Sequence, residues 1–470
     1  MSFILTKGET ARNQNLTAFP PGSVKELGAI VWPLVLSFLS MSLMNFFNRF
    51  FLSHYSIAAL EASVSAMNLA FLFQIPCMRI TTIAQVFVAR FAGSQEFGKI
   101  GSVVWQMIWL SFLSMIITLP LSLFASPLFF QGTVMEKIGS SYFSCLMFGN
   151  FLFPLVGALG SFFAGQGRTK TLITVLGIAH VLQIGLDKIL IFGISGILLP
   201  LGALGAALST LISQFFYCLI LFWIFLRKKE RSTYATYAWG FKLKLFKECL
   251  YLGTPRAFAK MLILAAWAGS VAILTHKGGD YLLAFTLGTS LYASFSCLNE
   301  GLVHGLITVA SYYLGRKNPH YFSSISKSSL MVLTGILVFL SFFLLFSPRL
   351  MISTLFPHSL TAQEMSLLIY SCYGLWFFFL CEGLSGIGFA FLNALKEMKF
   401  YFIYTFLTVL FFNYLPFYFA YQIGSWSAAH IWWIMSLPCL ASAIAYYFRI
   451  TAKLSILSTQ QTQQKLNTEI

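Results

Sequence analysis

The chain has 470 residues, 58% of them hydrophobic and only 9% charged, with a net charge of +16. Soluble domains carry roughly 25% charged residues, so this composition excludes an ordinary soluble globular fold and leaves a membrane protein. The positive balance could suggest a nucleic-acid partner, but the distribution of the charges along the chain argues against one.

The first twenty residues, MSFILTKGETARNQNLTAFP, are polar and lack the apolar core of a cleavable signal, so the first span is expected to act as its own insertion signal. Apolar runs of about 18 residues or more are long enough to cross a bilayer. Twelve such spans are predicted, near 27–53, 61–88, 102–126, 138–164, 171–194, 203–226, 250–275, 282–312, 327–353, 364–394, 399–422 and 427–449. Backbone groups in lipid must be satisfied within helices or a closed barrel. The runs show no period-two alternation, so the expected fold class is an all-α polytopic membrane protein.

With the amino terminus placed inside, 22 of the 30 Lys and Arg residues fall in inside segments, Lys7, Arg12 and Lys465 among them. Only Lys137, Lys277 and Arg349 fall outside. This is the positive-inside bias. It predicts a multi-pass protein of the plasma (inner) membrane with both termini cytoplasmic, and it explains the charge without nucleic acid.

The only long hydrophilic interior segment, RKKERSTYATYAWGFKLKLFKE, separates six spans from six. The expected division is a cytoplasmic tail (1–26), an N-lobe (27–226), a basic cytoplasmic linker (227–249), a C-lobe (250–450) and a second cytoplasmic tail (451–470). The halves repeat. KELGAIVWP runs from Lys25 to Pro33 and KECLYLGTP from Lys247 to Pro255, and the interval from Pro33 to Gly93 equals that from Pro255 to Gly315. An even number of spans per half gives two six-helix lobes related by a parallel pseudo-twofold axis. Transporters built this way bind substrate near the repeat interface and rock one half against the other.

Three acidic residues lie inside predicted spans: Asp187, Glu300 and Glu382. A charge at that depth costs roughly 2.5–3.5 kcal/mol on insertion scales and usually marks an ion or proton path. In QIGLDKILIFG, Gln183 lies one helical turn from Asp187 on the same face, and His180 one turn further. Asn48 in the first span and Thr210 in the sixth are expected at a similar depth. Carboxylate, amide and hydroxyl oxygens suit a hard cation, and a hydrated carboxylate can equally carry a proton. In the second half, Glu382 is expected near the midplane, with Glu300 and Lys260 at comparable depth. Arg79 and Lys260 are deep cations that either pair with these carboxylates or contact cargo, whereas Lys188 is near a span end and snorkels. Glu300 and His304 are an i, i+4 pair, read as a hydrogen-bonded helix pair more than a metal site. No resident metal or cofactor is expected. The eight cysteines show no paired spacing and read as packing residues. No phosphate loop, nucleophile elbow or metal motif points to an enzyme.

Taken together, KELGAIVWP, AQVFVARFAG, GQGRTK, QIGLDKILIFG, LGALGAALSTLISQ, LGTP and EGLSGIGFAFLNALKE resemble multidrug and toxic compound extrusion (MATE) transporters over nearly the whole chain. The resemblance implies a twelve-helix, two-lobe secondary active transporter that exports organic small molecules by alternating access, in antiport with H+ or Na+. It further implies a coupling-ion site at Asp187, Gln183, Asn48 and Thr210, with Glu382 and Glu300 in the second lobe. Arg79, Lys260 and His180 are candidates for the substrate cavity. Asn48 and Ile263 stand where the family has carboxylates, and Gln183 where it has Asn. The other reading is a flippase of the same wider superfamily, moving a lipid-linked anionic precursor across the cationic cavity that Arg49, Arg79, Arg256 and Lys260 suggest. The expected partners are a small organic substrate, H+ or Na+ and the lipid bilayer, with the protein acting as a monomer.

Overall fold

Apolar side chains with little charge leave the backbone to satisfy itself, and the chain does so almost entirely in α-helices. A computed structural model describes residues 16–469, apart from 134, 319 and 357–359, and not the side chains of 125–127, 457, 458 and 460–469. Lys7, Arg12 and the side chain of Lys465 therefore lie outside the described residues.

Among the described residues, twelve helices are long and apolar enough to cross a membrane. They are α1 (Val24–Tyr55), α2 (Ile57–Gly93), α3 (Phe97–Phe124), α4 (Glu136–Gly165), α5 (Thr169–Phe192), α6 (Ala203–Phe225), α7 (Leu243–Lys277), α8 (Gly279–Gly315), α9 (Tyr321–Phe346), α10 (Ala362–Ala394), α11 (Met398–Ile423) and α12 (Ala428–Ile456). All twelve predicted spans are present, and many helices outrun them. α8, for instance, has 37 residues, whereas about 20 cross the hydrocarbon. Hydropathy reports only the stretch in lipid, while the helix continues into polar surroundings.

The repeat read from the sequence recurs in the backbone. α2 and α8 end in matching turns: Gln95 (φ 61°) and Lys317 (φ 55°) both take the left-handed conformation. Around them Glu96 N donates to Phe91 O and Gln95 N to Ala92 O, just as Asn318 N donates to Tyr313 O and Lys317 N to Leu314 O. These are Schellman caps, which satisfy carbonyls that a helix end leaves open. α4 and α10 end the same way, with Gly167 in one half and Lys396 in the other at the left-handed position. π-helical turns at Leu121–Ala125 and Phe342–Phe346 also fall at matching places.

The chain forms two compact units, residues 36–257 and residues 1–35 with 258–470. The boundaries fall inside α1 and α7. Within the second of these units, the start of α1 packs tightly on α8: a Cβ on Gly301 or Gly305 would meet Val35 or Val31 at 2.4 and 2.5 Å. Within the other, the start of α7 packs on α2, where Gly253 lies against Ile80. Small residues of this kind let helix backbones approach closely in a membrane.

Candidate functional site

In the unit 36–257 the site rests on the hairpin of α5 and α6. The buried face of α5 runs Leu172, Val175, Leu176, Ala179, His180, Gln183, Asp187 and Ile191, which is the three-and-four spacing of one helical stripe. Lys188, next to Asp187 in sequence, points away and is exposed. α6 comes close because Gly205 presents no side chain; a Cβ there would sit 2.4 Å from Leu190 O. That approach sets polar residues of α6 opposite those of α5. Gln183 Nε2 donates to Thr210 Oγ1 at 3.1 Å. One turn away, Ser209 Oγ donates to Asp187 Oδ1.

Asp187 is fully buried, and its second oxygen, Oδ2, has no hydrogen-bond partner among the described residues. Nearby, the buried Tyr142 hydroxyl is likewise without one and lies within electrostatic reach of both Asp187 and Arg49. Tyr142, Ile191, Ala203 and Ala206 belong to one apolar cluster with Leu52, Phe130 and Phe143, so the carboxylate sits among residues of an apolar core. Leaving a buried polar group unmatched costs about 1–3 kcal/mol, more when it is charged. His180 Nδ1 lies 2.5 Å from Ser40 Oγ, two turns along α5. Asn48 is buried in the same unit; no side-chain hydrogen bond joins it to Asp187 among the described residues.

The second carboxylate site lies in the other unit, between α8 and α10. Glu382 Oε1 accepts from Tyr292 Oη at 2.6 Å and Oε2 from Asn299 Nδ2 at 2.8 Å. Lys260 and Glu300 act on Glu382 through their charges. Glu300 Oε2 also faces His304 Nε2 at 3.8 Å. Aromatic rings surround the group: Tyr292 lies 6.0 Å from Trp267, 5.6 Å from Phe378 and 5.7 Å from Phe379, between ring centroids. Arg79 is half-buried in the unit 36–257, as Lys260 is in the other. Ile263 is 36% exposed.

Sequence reasoning missed Ser209, Tyr292 and Asn299 as partners of the carboxylates, and Tyr142 as a neighbour within electrostatic reach of Asp187. Tyr292 and Asn299 stand at i and i+7, two turns apart on one face of α8, which is the signal that could have singled them out. It also left Glu26 among the span ends. Glu26 is fully buried and accepts from Gly22 N at 2.6 Å and from Tyr313 Oη at 2.9 and 3.1 Å.

Comparison with known proteins agrees with this architecture. Residues 33–189 match the MatE family. A probable multidrug resistance protein NorM of Thermotoga maritima is 24% identical over 366 residues, covering 76% of this chain and 77% of that protein. A solved MATE structure in a straight conformation superposes with a TM-score of 0.81 at 18% identity, over 97% of this chain and 99% of that one. A MOP superfamily transporter from Pyrococcus furiosus, described as having a binding pocket of reversed polarity, superposes with a TM-score of 0.79 at 18% identity over 96% and 99%. Its MatE region, its relatives and its twelve-helix fold agree: the chain is similar to MATE transporters in sequence over residues 33–189 and in fold over nearly its whole length.

Proposed function

We propose that the chain is a secondary active exporter of small organic molecules, driven by H+ or Na+ moving the other way, with Asp187 as the principal ion-responsive group. The observation that carries this reading is the open Oδ2 of Asp187, buried beside the Gln183–Thr210 pair. A carboxylate that is desolvated and only half matched gains when a proton or a small cation arrives. Binding there shifts a two-state transporter only so far as the ion prefers one state. Asp187 would be the charge whose loading differs between the states, Gln183, Thr210 and Asn48 would supply neutral oxygens, and Glu382 with Glu300 would serve the other lobe.

The flippase reading draws on deep cations such as Arg79 and Lys260. Lys260 lies in the field of Glu382, which favours the exporter. The positive-inside bias supports both termini in the cytoplasm and residence in the plasma (inner) membrane, and the protein acts as a monomer. The test is uptake into proteoliposomes under separate sodium and proton gradients, with a cationic dye and an organic anion as cargo. Gradient-driven dye movement by the wild type, absent in Asp187→Asn, supports the proposal. Gradient-independent movement, or movement unchanged by the substitution, refutes it.

A further inference from the structure

Where α6 leaves the membrane, Leu219, Phe222, Trp223 and Leu226 form an apolar stripe at i, i+3, i+4 and i+7. With Arg227 and Arg231 they line a groove of about 380 Å³. Leu219 and Trp223 are half or more exposed, at 50% and 62%. The guanidinium of Arg227 lies over the Trp223 ring, 4.0 Å from its centroid, a cation–π contact that presets its position.

The floor of this groove is held in place. The short helix Lys228–Tyr234 follows α6, and its Glu230 is buried against Arg168, Oε1 to Nη1 2.8 Å. Of the two acidic residues from 227 to 248, a stretch with seven Lys and Arg, Glu230 is the one next to the groove and is turned inward onto a cation, whereas Glu248 lies on α7. Beyond the short helix the linker is strapped to α3. Trp105 Nε1 donates to Thr236 O at 2.8 Å, Trp109 Nε1 to Trp239 O at 2.9 Å, and Lys242 Nζ to Ser102 Oγ at 2.9 Å. Trp105 also packs edge-on against Phe222 in the groove wall, 5.8 Å between centroids.

We propose that this groove binds one anionic phospholipid. Its acyl chain lies along Leu219, Phe222, Trp223 and Leu226, and its phosphate sits between Arg227 and Arg231. The charge complementarity selects the occupant. A guanidinium binds phosphate oxygens through paired N–H donors, the apolar stripe suits only the lipid's tail, and aromatic residues favour the headgroup level of a bilayer. A polybasic segment beside a span end adds attraction for an anionic leaflet.

The full-length protein, purified in a zwitterionic detergent, carries its own probe in Trp223. Phosphatidylglycerol and phosphatidylcholine, each brominated on the acyl chain, are titrated while tryptophan fluorescence is followed. The anionic phosphatidylglycerol is expected to quench at concentrations about ten- to thirty-fold lower, the advantage that two arginines give at a membrane surface. W223F removes most of that extra quenching. R227Q/R231Q abolishes the preference while leaving the phosphatidylcholine curve in place, which also shows the variant to be folded. Coincident curves for the two lipids overturn the proposal, as does a preference that survives R227Q/R231Q. Displacement of the phosphatidylglycerol by millimolar inorganic phosphate overturns it in favour of a soluble anion.

Discussion

Each unit holds a carboxylate within a spanning helix, Asp187 fully buried and Glu382 half-buried, and treats it differently. In the unit 36–257, Asp187 has one oxygen held by Ser209 and the other unmatched. In the other unit, Glu382 has both oxygens held, by Tyr292 and Asn299, with Lys260 adding its charge. A buried acceptor without a donor is a place where an arriving cation or proton gains fully. A saturated one must give up a hydrogen bond for each new contact, and the gain shrinks accordingly. Under the proposed function, the carboxylate with an open oxygen is the one expected to exchange an ion, and the one with both oxygens held is expected to respond less.

The sharpest way to break this comparison is Asp187→Asn, which keeps the shape and removes the charge. Gradient-driven transport in proteoliposomes should fall at least about a hundred-fold, with insertion and monodispersity unchanged. Glu382→Gln should do less. A glutamine can still accept from Asn299 and donate to the Tyr292 hydroxyl, so a loss of about 1 kcal/mol in thermal stability and a few-fold drop in transport are expected. Transport abolished by Glu382→Gln would mean that saturation does not keep this group out of the exchange.

Tyr313→Phe tests the carboxylate at the start of α1. It removes the side-chain donor to both oxygens of buried Glu26 and should cost about 1–3 kcal/mol in a denaturation assay. Asn48→Asp adds a second carboxylate to the unit that holds Asp187 and should raise export of cationic dyes several-fold, on the order of 1 kcal/mol of transition-state binding. Strong export of a dication that this change leaves unaffected would show that the cavity has been misread.

The smallest effect expected is at the membrane surface. Glu397 is pushed up by burial, but hydrogen bonds from Lys453 (2.7 Å) and Arg449 (2.7 Å), and their charges, hold it below the usual carboxylate range. Its folded pKa is thus depressed. Its contribution to stability is present above the ordinary value of about 4.3 and is lost as pH falls through the folded pKa. Glu397→Gln should lower the melting temperature at neutral pH by the equivalent of up to about 1 kcal/mol. The gap to the wild type should close in acid.

The spans were legible because lipid imposes one rule on every residue of a crossing helix, and hydropathy reads that rule directly. The carboxylates were legible for the opposite reason, as rare charges in apolar runs. Their neutral partners were not. Most hydroxyls in these spans bond their own helix, as Ser111 Oγ does to Met107 O and Thr405 Oγ1 to Tyr401 O, so nothing in the sequence separates Ser209 from its neighbours. Glu26 was hidden because its partner Tyr313 is 287 residues away. The linker reads as a hydrophilic loop, yet it is strapped down through its backbone carbonyls at Thr236 and Trp239. An accepting carbonyl leaves no mark in the sequence.

The most direct measurement places Asp187→Asn and Glu382→Gln side by side in the same proteoliposome assay, with dye uptake followed at a series of imposed proton and sodium gradients. We expect Asp187→Asn to lose all dependence on the gradient, while Glu382→Gln keeps the wild-type slope at a reduced rate. A retained slope in Asp187→Asn together with a lost one in Glu382→Gln would contradict the assignment of the ion-responsive group to Asp187.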